Sequence, residues 1–247
     1  MLQIIIHKCA ERNLFPDPQT INVDFEKAVI NAIKSVIGED VQIQGCFFHL
    51  CQSTHRKIQQ LGLEQLYRSN EEFSHFCGML DSLAFLPINY INTGLTYLKS
   101  VMSEEATDLV EYFERTYIGS YKRVGNGQSE LRIKMRKTSP HFPPSVWNVR
   151  DATLNNGDRT NNVCEGWNNR FSNLVNHKHP TIWTLITKMR HENAADETKV
   201  AQRQLGTIGP PSKKKKKDIL KHLCEEFDGG SRDIPNFLNA IANFIRK

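Results

Sequence analysis

Apolar positions recur along the chain at two different periods, and the changes of period divide it into elements. Leu2 to Leu14 reads as the end of a helix, stopped by Pro16 and Pro18, because proline removes a backbone donor and restricts the residue before it. Thr20 to Asp24 alternates, with Ile21 and Val23 on one side, and predicts a strand. Phe25, Ala28, Val29, Ala32, Ile33, Val36 and Ile37 then follow helical spacing until Gly38, and Val41 to Gly45 predicts a second strand. Two strands joined by one helix form a right-handed crossover unit, which needs a neighbouring sheet to bury its other face.

From Cys46 to about Tyr117 the pattern is helical, carried by sets such as Phe73, Phe76, Met79 and Leu80, then Leu98, Met102, Leu109 and Phe113. Gly119 to Asp158 differs in kind. Gly125, Gly127, Pro140, Pro143 and Pro144 predict a loop with at most one short strand, and Arg132, Lys134 and Arg136 make a basic alternation within it. A long helix is predicted from Asn162 to Leu205, kinked or divided at Pro180, because Val163, Trp167, Phe171 and Leu174 recur at three or four and Ile182, Leu185, Ile186 and Met189 resume the stripe. Gly209 to Lys217 reads as a linker, and Ile234, Phe237, Leu238, Ile241, Phe244 and Ile245 outline a terminal amphipathic helix.

Composition narrows the classes. Charged residues make up 24% of the 247 positions, so the chain has the makings of a core and is not a disordered tail. The excess of 32 basic over 27 acidic residues is compatible with a polyanionic partner without requiring one. Cysteines 9, 46, 51, 77, 164 and 224 show no disulfide framework, which suggests free thiols in a reducing compartment. No apolar stretch approaches the roughly 20 residues needed to cross a bilayer, so no membrane partner is expected.

Three places carry candidate chemistry: Asp24 within NVDFEKA, Cys46 and His49 within GCFFHLCQ, and Glu165 within RTNNVCEGWNNRF. Each has a plainer reading. Asp24 stands where a residue capping the following helix would stand, and Asn162 with Glu165 has the spacing of a capping box. On a helix, Asn161, Glu165, Asn168 and Asn169 share one side, with Asn162 beside them and Val163, Trp167 and Phe171 opposite and packed. Cys46 and His49 could join Cys51 or His55 around zinc, but the two pairs face different ways, and a buried Cys with a hydrogen-bonded His anchoring the insertion is the better reading. His55, Arg56 and Lys57, together with Lys122, Arg123, Arg132, Lys134, Arg136 and Lys137, are candidates for phosphate contacts or a solvated charged face. Tyr121 and Trp147 are candidate stacking residues or core, and Cys164 reads as an inert thiol. Lys213 to Lys217 after Pro210 and Pro211 has the look of a nuclear-import signal.

The order of these pieces resembles the C-terminal part of a Mutator-like (MULE) DDE transposase, over nearly the whole chain. The resemblance rests on Asp24 at a strand end, the C-x-x-H of Cys46 and His49 opening a helical stretch, and Glu165 in N-x-x-E-x-x-N; it extends to FEKAVINAI, STHRKIQQLGL, HPTIWTLI and FLNAIANF. It implies an α-rich α/β fold, a partial ribonuclease-H-like sheet with a large all-helical insertion between the second Asp and the Glu. The implied segments are 1–45 (sheet), 46–158 (insertion and basic loop), 159–208 (late helix) and 209–247 (lysine-rich linker and terminal helix). Asp24 and Glu165 would be catalytic ligands of Mg²⁺ or Mn²⁺, Cys46 and His49 a structural motif, and zinc is not expected. The family places its first Asp several tens of residues before the second, whereas 23 residues precede Asp24, so DNA cleavage and strand transfer are expected to be incomplete here. DNA is the expected partner, a homo-oligomer a further one, and the nucleus the expected location. The alternatives are a helical protein-interaction module with an idle former active site, and a zinc-stabilised module around Cys46 and His49.

Overall fold

The structure is a computed structural model that describes residues 2–119, 121–124, 134–205 and 214–245, with the backbone alone for 121–124, 134–137 and 214–218. It divides into two compact units, Met1–Thr160 with Lys216–Lys247, and Asn161–Lys215. The fold is helix-rich with a small parallel sheet, an α-rich α/β class.

In the larger unit α1 (Leu2–Ala10) has no buried residue, and the chain then enters β1 (Thr20–Val23), α2 (Lys27–Ile37) and β2 (Gln42–Gly45). The strands pair in parallel, Ile21 opposite Ile43 and Val23 opposite Gly45. Beyond the strand ends the ladder continues through Gln42 N–H to the Gln19 carbonyl at 3.0 Å and Cys46 N–H to the Val23 carbonyl at 2.9 Å. Val23, Ile30, Ile33 and Ile43 are buried between helix and sheet, as the two periods predict. Gln44 is also buried, and its amide donates to the Asn148 carbonyl at 2.9 Å, so β2 is covered on both sides.

Five helices follow: α3 (Phe47–Gln60), α4 (Glu64–Ser69), α5 (Glu71–Ser82), α6 (Ile91–Val101) and α7 (Thr107–Phe113), the last running into a π-turn at Glu114–Ile118. The Asn70 side chain accepts from Phe73 N–H at 2.9 Å, and Glu71 and Glu72 place negative charge at the start of α5. Helix α5 is the centre of the core, with Phe73, Phe76, Cys77, Met79 and Leu80 buried. It packs against α13 (Ile234–Ile245), which buries Phe237, Leu238, Ile241 and Ala242. That apolar face of α13 matches the terminal amphipathic helix read from the sequence.

Residues 119 to 158 depart from the predicted loop. β3 (Tyr121–Val124) and β4 (Lys134–Lys137) form an antiparallel pair, so there are two strands and the stretch between Asp24 and Glu165 is not wholly helical. α8 (Pro144–Trp147) and α9 (Arg150–Leu154) follow, too short for any periodicity to announce them. They bury Trp147 and Val149, and the Trp147 indole donates to the Tyr117 carbonyl at 2.8 Å, so Trp147 is a core residue and does not stack on a base. Another departure lies in α12 (Lys214–Asp228), whose backbone takes Lys214 to Lys217 out of the expected linker. Leu220, Leu223 and Cys224 recur at helical spacing and are buried, which gives this helix its reason. In the smaller unit the predicted long helix is two, α10 (Asn162–Val175) and α11 (Ile182–Gln204). Asn176 ends the first in the left-handed region at φ 54°, and Thr181 after Pro180 caps the second by accepting from Thr184 N–H at 3.2 Å.

Arg150 is buried, and its guanidinium donates to the Phe85 carbonyl at 3.0 Å, to the Cys224 carbonyl at 3.4 Å and to the Asp228 carboxylate. Arg150→Ala leaves two buried carbonyls and a carboxylate without their donor. We expect a loss of about 2–4 kcal/mol, seen as a lower urea midpoint at unchanged slope. Burial pushes the neighbouring Cys224 thiol up from its ordinary value near 9.0 to about 11, with Arg150 pulling the other way. The unfolded thiol therefore ionises first. The stability this contributes is complete below pH 9.0 and is lost as pH rises toward 11, so urea unfolding followed through that interval should fall more steeply for the wild-type chain than for Cys224→Ala.

Candidate acidic site

The carboxyl ends of β1 and β2 bring three of the sequence candidates together. Asp24 follows β1 directly, its carbonyl accepting from Glu26 N–H at 2.7 Å in a tight turn. The residue at the cap position of α2 is Glu26, whose own side chain makes no cap hydrogen bond, so Asp24 stands two residues before that position. Cys46 follows β2, is fully buried, and opens α3; its N–H continues the ladder and its carbonyl accepts from Leu50 N–H at 3.1 Å. One turn later His49 turns back to Asp24, with Nδ1 3.0 Å from Asp24 Oδ1. The carboxylate is half exposed and the imidazole mostly covered, at 52% and 24% side-chain exposure. The edge of Phe48 meets the imidazole at a ring separation of 5.5 Å.

This edge is rigid because of what lies beneath it. The Phe25 ring packs edge-on against Tyr117 at 5.9 Å and Phe142 at 5.1 Å. A Cβ at Gly45 would stand 2.7 Å from that ring and 3.1 Å from the Val146 carbonyl, so any larger residue at this strand end would have to displace the ring. Behind α3, Tyr117 donates to Ser53 Oγ at 2.9 Å, and burial raises its phenol well above the usual tyrosine range. The α3 entrance is further tied by Phe47 N–H to the Arg159 carbonyl at 2.9 Å.

The Asp24 carboxylate stands within ion-pair distance of His49 Nδ1 without the geometry of a hydrogen bond, and Nε2 is the ring's other polar atom. A half-exposed carboxylate is also a suitable hard oxygen ligand for Mg²⁺ or Mn²⁺, which keep several waters and take substrate phosphates beside one or two carboxylates. Among the described residues no group of three or more His, Cys, Asp or Glu could hold a metal ion.

Glu165 belongs to the other unit, in the first turn of α10, where its N–H donates to the Asn161 carbonyl at 3.0 Å. The cap position is Asn161, whose own side chain makes no cap hydrogen bond, and Asn162 is the first helical residue rather than the cap. Glu165 and Asn161 are half-buried, while Asn162, Asn168 and Asn169 are exposed. The opposite side does not pack as the sequence predicts: Val163 is 75% exposed, and Trp167, also exposed, stacks on Phe171 at 5.0 Å.

The basic candidates divide. His55 pairs with Glu64 at 3.2 Å, the Lys57 ammonium lies over the Tyr112 ring at 5.3 Å, and Arg56 is exposed. Arg132 lies outside the described residues, as does Lys213. Lys134 and Arg136 stand in β4, with Lys122 the register partner of Arg136. Arg159 was not singled out from the sequence. Burial lowers its guanidinium below the usual arginine value, against the opposing pull of Cys224 and Asp158. Only its place in GDRTNN, just before the Asn-rich helix start, hinted at it.

Comparison of the chain with protein-family models, with characterised proteins and with solved structures finds no match.

The Asp24 and His49 contact is half exposed, and its strength should be modest. A double-mutant cycle of Asp24→Asn and His49→Ala, read by urea unfolding, should return a coupling of roughly 0.5–1 kcal/mol in favour of the native pair.

Proposed function

We propose that this chain is a DNA-associated protein derived from a Mutator-like DDE transposase, with Asp24 and Glu165 in the positions of that family's second and third acidic ligands. The observation that carries the reading is the Asp24 to His49 contact at the carboxyl edge of a parallel strand–helix–strand pair, with buried Cys46 continuing the ladder there. Ligand sites in open α/β sheets lie at that edge. Further support comes from the order of Asp24, Cys46, His49 and Glu165 along the chain and from the basic register of β3 and β4. The finer architecture in this reading is part of a ribonuclease-H-like sheet, interrupted between Asp24 and Glu165 by the α3–α9 segment. Asp24 and Glu165 would each offer Mg²⁺ or Mn²⁺ a carboxylate oxygen, and the ion would supply positive charge beside a phosphate. The chain's own part is to hold His49 beside Asp24 and to offer Arg56, Lys134 and Arg136 to the backbone of DNA. The lysines at 213–217 would direct the protein to the nucleus.

A second reading, a helical protein-interaction module, is favoured by one observation, the 76% exposure of Trp183 at the start of α11.

Fluorescence anisotropy of a labelled DNA duplex, titrated with the chain over a range of salt and with or without Mn²⁺, separates the two. Association with DNA predicts a log–log salt slope of about −0.9 for each phosphate neutralised. Mn²⁺ should strengthen binding in the wild-type chain and leave the Asp24→Ala, Glu165→Ala double variant unmoved. Binding that is absent, or indifferent to metal and to both substitutions, would remove the transposase reading and favour the interaction module.

A further inference from the structure

Helix α11 carries different chemistry on its two sides. Toward α10, Glu192 is buried and accepts from the Arg170 guanidinium, Asp196 lies 3.6 Å from the same group, and Leu185, Lys188 and Lys199 are half-buried. These positions recur at three and four and occupy one face. Away from it, Ile186, Met189, Arg190, Asn193, Ala194 and Glu197 line a shallow groove along a single helix. The apolar residues flanking that groove stand in water, with Ile182 61%, Met189 52% and Val200 54% exposed. An amphipathic surface helix normally turns such residues inward, so a face of this kind calls for a cover.

The distribution of charge along the groove says what the cover is. Arg190 and Glu197 stand seven residues apart, two turns on the same side, and the small residue Ala194 lies between them beside Asn193. Apolar residues lie outside both, Ile182 and Ile186 toward one end, Val200 and Ala201 toward the other. The pattern is its own complement when reversed. A two-fold axis makes residue i of one copy meet residue j of the other and the reverse, and only such an axis gives this reversal a use.

We propose that a second copy of this chain docks antiparallel on this face of α11, with the axis passing between Asn193 and Ala194. Arg190 of each copy then meets Glu197 of the other, twice over. Ile186 of each copy lies against Ala201 beside Val200 of the other, which covers the exposed apolar ends. Ala194 at the crossing lets the helices approach to the roughly 8–10 Å of ordinary helix packing. A parallel pairing would set Arg190 against Arg190 and Glu197 against Glu197, which excludes it. The face used is the one turned away from Arg170, so the pairing leaves the α10–α11 contact intact. The inference stands apart from the DNA reading and is tested without DNA.

Sedimentation velocity of the full chain over a range of concentrations is the test, with circular dichroism to check that each variant keeps its helix content. The wild-type chain should show a monomer–dimer equilibrium. R190E alone and E197R alone should each weaken it by about ten-fold or more, since each places like charges against each other at both crossings. Mixing the two single variants in equal amounts should restore a dimer of near wild-type strength, because every crossing in the mixed pair is again of opposite charge. A folding fault would not be cured by mixing. A wild-type chain that is monomeric at every concentration, a dimer that both single variants keep, or single variants whose loss is not repaired by mixing would each overturn the proposal.

Discussion

The larger unit is made from two stretches of chain that are far apart in sequence, and a buried guanidinium fastens one to the other. Arg150 reaches the Phe85 carbonyl on one side and the Cys224 carbonyl and Asp228 on the other, and its charged carbon lies 5.9 Å above the Phe227 ring. Residues 161–215 form the other unit between these stretches, so closing the larger one costs loop entropy. The apolar seam of α5 against α13 offsets that cost without being selective, since Phe237, Leu238 and Ile241 would accept many apolar faces. Arg150 supplies the selectivity. A desolvated guanidinium accepts only an arrangement with carbonyls and a carboxylate at its donors, so it fixes which register of α12 is allowed.

The same logic extends to the sheet edge. Asn148, two residues before Arg150, donates to the Leu86 carbonyl at 2.7 Å and accepts from Gln44 on β2. One short segment therefore locks β2, the Leu83–Phe85 turn and α12 to a common frame. Two parallel strands of four residues have little cohesion of their own, and without α8 against β2 the strand end would not hold Gly45 under the Phe25 ring. The position of Asp24 and the direction of His49 are consequences of that packing. The acidic site is thus held by residues that take no part in it.

How much of this could be read in advance depends on the length of each element. The strand–helix–strand unit, the apolar face of α5, the division near Pro180 and the face of α13 all have runs long enough for a period to show. The four- and five-residue helices α8 and α9 do not, and nothing in the run after Pro143 and Pro144 announces that Arg150 is buried. The first turn of α12 was hidden for another reason. Lysines at a helix start oppose the helix dipole, so local preference argued for a linker, and the burial of Leu220 and Leu223 overrode it. At the site, the order of Asp24, Cys46 and His49 was legible, while their contact was not, because it depends on a strand pairing of residues some twenty positions apart. The two capping alternatives turn on a similar point. Spacing placed Asp24 and Asn162 at helix starts, and in the folded chain the cap positions fall to Glu26 and Asn161.

The smaller unit adds a constraint of its own. Its two helices share a polar seam, Arg170 with Glu192 and Asp196, where an apolar seam would have been the simpler way to hold a hairpin. An ion pair of this kind contributes little net stability once desolvation is counted, but it is demanding about geometry. It sets the face of α11 turned toward α10 and so, by exclusion, the face turned away. The residues that would have made an apolar seam, Ile182, Met189 and Val200 on α11 and Val163 and Trp167 on α10, are left in water as a result. Their exposure therefore follows from choosing orientation over cohesion within the hairpin, and it leaves the hairpin's main stabilising surface available to something outside it.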